Sequence, residues 1–325
     1  MSRGGFGARL RDAWNSFWFA PASAENLGWC RLLFFTGIFF FFGARDFRGF
    51  ADVDGVFWNP VWAFRLLGFD QPSRLFLTIV QSVWRIAVVA SCVGLFTRAA
   101  TLLAFLTGTY LLGLLYSFGG SGSSTGIVVF VLASLALSRC GDAVSIDRWL
   151  RRPRGIAAAT SASRGEYGWP VRFTWVVMAI AFFAAGLSKL RHSGLSWVSS
   201  DTLAILLVRV NHPLVRQANA PMFDWGLRLA RHPWICRGFA AGSLAIELTF
   251  PLALFSRRLR PWIVAAALAM QIGIILVMGP NFGPFMLAYV FWIPWDRVME
   301  RLRGAGAKNA AAAVSREIPV TSGAT

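Results

Sequence analysis

Residues 175–190 read WVVMAIAFFAAGLSKL, and this stretch decides the fold class. From Trp175 to Leu187 no side chain is charged or strongly polar; only Ser188 and Lys189 break the run. A helix crosses the hydrocarbon core of a bilayer with about 20 mostly apolar residues. Comparable runs recur near residues 25–44, 75–96, 99–117, 124–138, 170–190, 235–255, 261–279 and 281–295, the fourth and last being short. In lipid each segment must satisfy its own backbone, which a helix does. The predicted fold is therefore all-α: a polytopic membrane bundle of about eight transmembrane helices.

Composition supports that class. Of 325 residues, 56% are apolar and only 14% charged, whereas a soluble domain carries about a quarter charged residues. The net charge of +17 could suggest nucleic acid, but the basic residues sit between the apolar runs, where they orient a membrane protein. Nucleic-acid binding is excluded on that distribution, and the bilayer is the expected partner. Arginines cluster in 1–24, at Arg98, in 139–169 and at Arg257, Arg258 and Arg260, while the short turns 118–123 and 280 carry none. That asymmetry places both termini in the cytoplasm and the chain in the cell (inner, cytoplasmic) membrane. The long outer segments 45–74 and 191–234 also contain arginine, which long segments tolerate.

The domain reading follows. Residues 1–20, with Phe6, Leu10, Trp14 and Phe17 at helical spacing, form an amphipathic helix on the membrane surface and not a cleaved signal. Residues 21–296 form the transmembrane domain, with 150–169 (rich in Arg, Ala, Ser and Gly) as a flexible linker between its halves. Residues 297–325 form a cytoplasmic, disordered tail. The pairs His212-Pro213 and His232-Pro233 mark helix boundaries, because a residue before proline disfavours the helical conformation. Gly238 and Gly242, four apart, allow a close helix approach.

Lys189 stands out chemically. The chain holds thirty arginines and two lysines, the other being Lys308 in the tail. Arginine stays charged everywhere, whereas a buried lysine can lose its proton. Away from the span ends the other charged residues are Arg31, Arg85 and Glu247, joined by Gln81 and Gln271. Such residues usually face a bundle interior. Contact with Glu247 would favour charged lysine and oppose its use as a base; the expected arrangement pairs Glu247 with Arg85 and leaves Lys189 unpaired. A plain helix-end lysine reaching the headgroups is the alternative. His192, three residues on, shares a helical face with Lys189. The three histidines at 192, 212 and 232 have no metal-site spacing, so no metal is expected. The cysteines at 30, 92, 140 and 236 show neither disulfide nor zinc spacing. Hydrolase, zinc-protease, phosphate-loop and dinucleotide motifs are all absent.

Ala185–Leu190 followed by Trp197-Val198 (AGLSKL-x6-WV) resembles the segment around the catalytic lysine of vitamin K-dependent gamma-carboxylases and the wider horizontally transferred transmembrane (HTTM) domain family. Phe19–Phe34, the SRCGDAVSIDR motif at Ser138–Arg148, Glu247-x3-Pro251 and Gly279–Met286 resemble other parts of that family, over roughly 15–296. The resemblance implies Lys189 as catalytic base on a membrane quinone or similar lipid-soluble substrate. Glu247, Arg85, His192, Trp197 and Gln271 are supporting candidates. The implied activity is a carboxylase/epoxidase-like lyase or an oxidoreductase. The chain departs from the pattern at Ser123-Ser124-Thr125 and Gln271, where relatives carry histidine, and lacks the large peptide-binding region; full gamma-glutamyl carboxylation is not expected. Two alternatives stay open: a non-catalytic membrane component for maturation or export of a small peptide beside a partner protein, and a transporter or scaffold.

Overall fold

The computed structural model describes residues 6–119, 123–151, 163–212, 223–280 and 282–305. The described chain is all-helical apart from a two-residue antiparallel pairing of Ala22–Ser23 with Ser163–Arg164. The longer helices are α1 (Phe6–Trp18), α2 (Ala24–Phe42), α3 (Arg74–Val93), α4 (Thr97–Ser117), α5 (Ser123–Ala136), α6 (Gly165–Ser193), α7 (Thr202–Asn211), α8 (Pro233–Thr249) and α9 (Arg260–Met278). One-turn helices connect them, among them Ile146–Leu150, Ser196–Ser199 and Trp225–Ala230.

Among the described residues four helices are long and apolar enough to cross a membrane: α3, α4, α6 and α9. At 1.5 Å per residue, the 29 residues of α6 extend about 43 Å, longer than a hydrocarbon core of about 30 Å. The surface of α9 makes the solvent argument: mean hydropathy is 2.1, yet only 11% of its apolar window is buried. So much exposed apolar surface is stable against lipid and not against water.

The other four expected spans are less apolar, shorter or interrupted. The first, α2, opens on Glu25 and Asn26 and carries the fully buried Arg31. The fourth, α5, is 14 residues long. The sixth, α8, stops at Thr249 and resumes past Pro251 as the single turn Leu252–Phe255. The eighth breaks into the turn Gly283–Met286 and a 3-10 segment, Leu287–Trp292. Proline removes a backbone donor and clashes with the preceding turn, which accounts for the break at 251; Pro284 instead stands at the start of its turn, where proline fits.

One continuous apolar core joins α2, α3, α4, α5, α6 and the segment 285–292, centred on Phe34, Phe35, Trp84, Leu111 and Phe291. Phe182 on α6 stacks on Phe250 with centroids 4.3 Å apart and meets Phe285 edge-on, tying α6 to the end of α8.

Several expectations are revised. The linker expected over 150–169 is shorter: Ser163–Arg164 pair with Ala22–Ser23, and α6 already begins at Gly165; residues 152–162 lie outside the described residues. The tail expected from 297 starts as helix, since residues 295–305 are helical, and 306–325 lie outside the described residues. Gly238 and Gly242 approach nothing, for a Cβ on either would meet no atom within 4 Å. The histidine–proline boundaries hold where described: α7 ends before His212, and His232 precedes Pro233 at the first position of α8. Pro213 itself is outside the described residues. Residues Phe6–Trp18 form helix α1, with Leu10 and Trp14 exposed.

Candidate functional site

Three elements converge on Lys189. Helix α6 carries it one turn before its end, where Gly194 adopts φ +57 and allows the chain to reverse. The reversal leads into Ser196–Ser199, which sets the Trp197 ring 5.3 Å from the Lys189 ammonium. An aromatic face attracts a cation at that range. Helix α8 supplies Glu247, whose Oε1 accepts a hydrogen bond and ion pair from Lys189 Nζ.

Gly186, one turn before Lys189, lets the two helices meet. A Cβ there would stand 3.0 Å from Leu248 Cδ2 and 3.1 Å from Glu247 Cβ, so a side chain at 186 would push α8 away. The resulting pair is enclosed, with side-chain exposure of 24% for Lys189 and 6% for Glu247. A pair so placed gains from mutual attraction but gives up hydration, and removing one member strands the other. Two hydrogen-bonding atoms beside the amine stay open: Glu247 Oε2 and Trp197 Nε1 are buried without a partner. One is an acceptor and the other a donor.

This geometry overturns the expected pairing of Glu247 with Arg85. Arg85 lies on α3 and donates to the Arg45 carbonyl at 2.9 Å, while Glu247 pairs with Lys189. Sequence shows that both cations and the carboxylate lie in apolar runs but not which helices are neighbours. His192 follows on the same helix but is exposed, and its Nδ1 lies 2.8 Å from the Ser188 carbonyl. Gln271 is buried on α9 with Oε1 unpartnered, and takes no part in the hydrogen bond of the pair. Among the described residues no group of histidine, cysteine, aspartate and glutamate could hold a metal ion.

The SRCGDAVSIDR stretch proves to be a clamp. Asp147 accepts from Phe96 N at 2.8 Å and from Thr97 N and Oγ1 at 2.7 Å, capping the start of α4. Burial alone would raise the Asp147 carboxyl, but the bonds from Thr97 and Phe96 together hold it below the usual carboxylate range. Arg31, from α2, donates to the Val144 carbonyl, where the backbone turns left-handed at φ +51. The motif thus joins α2, α4 and the Ile146–Leu150 turn without contributing to the Lys189 site. Gly186 escaped the sequence reading because it stands alone; the available signal was the small run Ala184-Ala185-Gly186 one turn before the lysine.

No protein-family model matches the sequence, and no curated protein or solved structure shows significant similarity to it.

Proposed function

We propose that the chain is a multi-pass protein of the cell membrane, HTTM-like, with eight spans and both termini cytoplasmic, in which Lys189 acts as a base on a lipid-soluble, quinone-type substrate. The observation that carries this reading is the enclosed Lys189–Glu247 pair with an open acceptor and an open donor beside the amine. A phenolic hydroxyl both donates and accepts, so Glu247 Oε2 and Trp197 Nε1 complement it.

Pairing with Glu247 favours a charged lysine, which a base must not be. The pair resolves this internally. Glu247 takes a proton from Lys189, leaving a neutral amine beside a neutral acid, a combination that a low-dielectric site penalises less than two ions. The amine then accepts the hydroxyl proton of the substrate. In sum one proton moves from substrate oxygen to Glu247, and Lys189 is again a cation beside the oxyanion it created. Arginine cannot perform this exchange.

The test uses the full chain in proteoliposomes with a short-chain benzoquinol, following oxygen uptake as the deprotonated substrate oxidises. Lys189→Arg should lower the rate by about 10²–10⁴, the usual share of a positioned base, while the unfolding midpoint holds because arginine keeps the pair with Glu247. No uptake with the unmodified protein, or an unchanged rate in Lys189→Arg, overturns the reading and leaves the pair as a tie between α6 and α8.

A further inference from the structure

A cavity of about 860 Å³ lies at the other end of α6 from Lys189, between α1, α6, α9 and the segment 291–297. Arg172 and Lys189 are separated by seventeen residues of one helix, about 26 Å along its axis. Four guanidiniums line the cavity, from Arg172, Arg257, Arg260 and Arg297, against one carboxylate, Asp296. None of the four is in an ion pair among the described residues.

Two of them are anchored. Arg172 donates to the carbonyls of Trp18 and Ala20 at 3.2 and 3.1 Å. Arg260 donates to those of Ala253 and Leu254 at 2.9 and 3.2 Å, and stacks its guanidinium 4.4 Å from the Trp175 ring. Trp175 is itself stacked on Trp292 at 4.8 Å. Arg172, Arg257 and Arg260 lie near enough to repel one another. Arginines that serve only to orient the chain could point apart into solvent; here they are gathered, and two are held in place by backbone bonds.

Repulsion of this kind is relieved by an anion, and guanidinium forks match the oxygens of a phosphate. The volume falls in the range of pockets for whole small molecules, about 300–1,000 Å³, well beyond a lone phosphate. The remaining wall is mixed: Ser16, Ser23 and Asn26 are polar, while Phe17, Phe255 and Phe291 form an aromatic side that suits a hydrocarbon chain. Its rim includes α1, whose exposed Leu10 and Trp14 mark an interfacial helix. We infer that this cavity is a binding site for an anionic phospholipid, with the phosphate among the four arginines and the upper acyl chain against the aromatic wall.

The experiment titrates the full-length protein, in neutral detergent, with dihexanoyl phosphatidylglycerol while following tryptophan fluorescence, to which Trp175 and Trp292 contribute. Saturable binding is expected, with no response to dihexanoyl phosphatidylcholine and no displacement by inorganic phosphate. Arg257→Gln should weaken binding about tenfold, the effect of losing one charge-assisted contact, with an unchanged unfolding midpoint because Arg257 is exposed. Arg260→Gln should weaken it further but also sacrifices backbone bonds, so Arg257→Gln decides. Equal response to phosphatidylcholine or undiminished affinity in Arg257→Gln overturns the proposal. Displacement by inorganic phosphate overturns the lipid assignment in favour of a free phosphate.

Discussion

A Cβ built on Gly186 would stand 3.1 Å from the Cβ of Glu247, so the absence of a side chain at 186 is what brings α8 within reach of Lys189. The ion pair and the helix contact are therefore one feature. Gly186→Leu should push α8 outward, separate Glu247 from Lys189 and cost about 1–3 kcal/mol by overpacking. The unfolding midpoint should fall and quinol-dependent oxygen uptake should vanish together. A leucine variant with both properties intact would refute the close-approach argument.

Removing one member of the pair should cost more than exchanging both. Glu247→Leu leaves Lys189 without its counter-ion; breaking a buried pair costs about 3–5 kcal/mol, and the 24% exposure of Lys189 should hold the loss to the lower end. The swap Lys189→Glu with Glu247→Lys restores opposite charges and should recover much of the stability. It should not recover activity, because the amine then projects from α8 and away from Trp197. Thermal unfolding and oxygen uptake on the three proteins separate the two effects.

Lys189 was legible in the sequence because composition isolates it: one lysine inside an apolar run of a chain that otherwise uses arginine. Its partner was not. Apolar periodicity sets which segments are helices but says nothing about which helices touch, so the expected partner of Glu247 was Arg85, whereas the packing of α6 on α8 gives it Lys189. Glycine spacing misled for a related reason. Gly238 and Gly242 share a face that packs against nothing, whereas lone Gly186 lies at the contact. The clustering of Arg172, Arg257, Arg260 and Arg297 was hidden too, since they fall in three separate segments: an expected span, an inner turn and the tail. Span lengths were read too generously where proline interrupts a helix, as at Pro251.

The Asp147 clamp gives a pH signature distinct from that of the Lys189 site. Its folded carboxyl titrates below the unfolded value of about 3.9. Its contribution is thus fully present above about pH 4 and is lost as pH falls through the depressed folded value. Asp147→Ala should lower stability by about 1–2 kcal/mol at neutral pH, the cost of removing a helix cap, and by less as acid protonates the wild-type carboxyl. Unfolding midpoints of the two proteins should converge below pH 4. A constant gap down to pH 2 would show that the cap does not depend on the charge.

Orientation is open to direct labelling. The proposed topology, with both termini cytoplasmic, puts the turn at Arg257-Arg258 inside, in keeping with the basic residues there, and the segment carrying Trp197 outside. Arg258 and Ser199 are both exposed, so cysteine at either position is open to reagent from its own side. The native cysteines at 30, 140 and 236 are buried and Cys92 is half-buried, giving a low background. In intact cells a membrane-impermeant maleimide should label Ser199→Cys and leave Arg258→Cys unmodified until the membrane is opened. The reverse pattern would invert the topology and place the arginine-lined cavity on the outer face; labelling of both positions in sealed cells would mean that α8, which lies between them, does not cross the membrane as eight spans require.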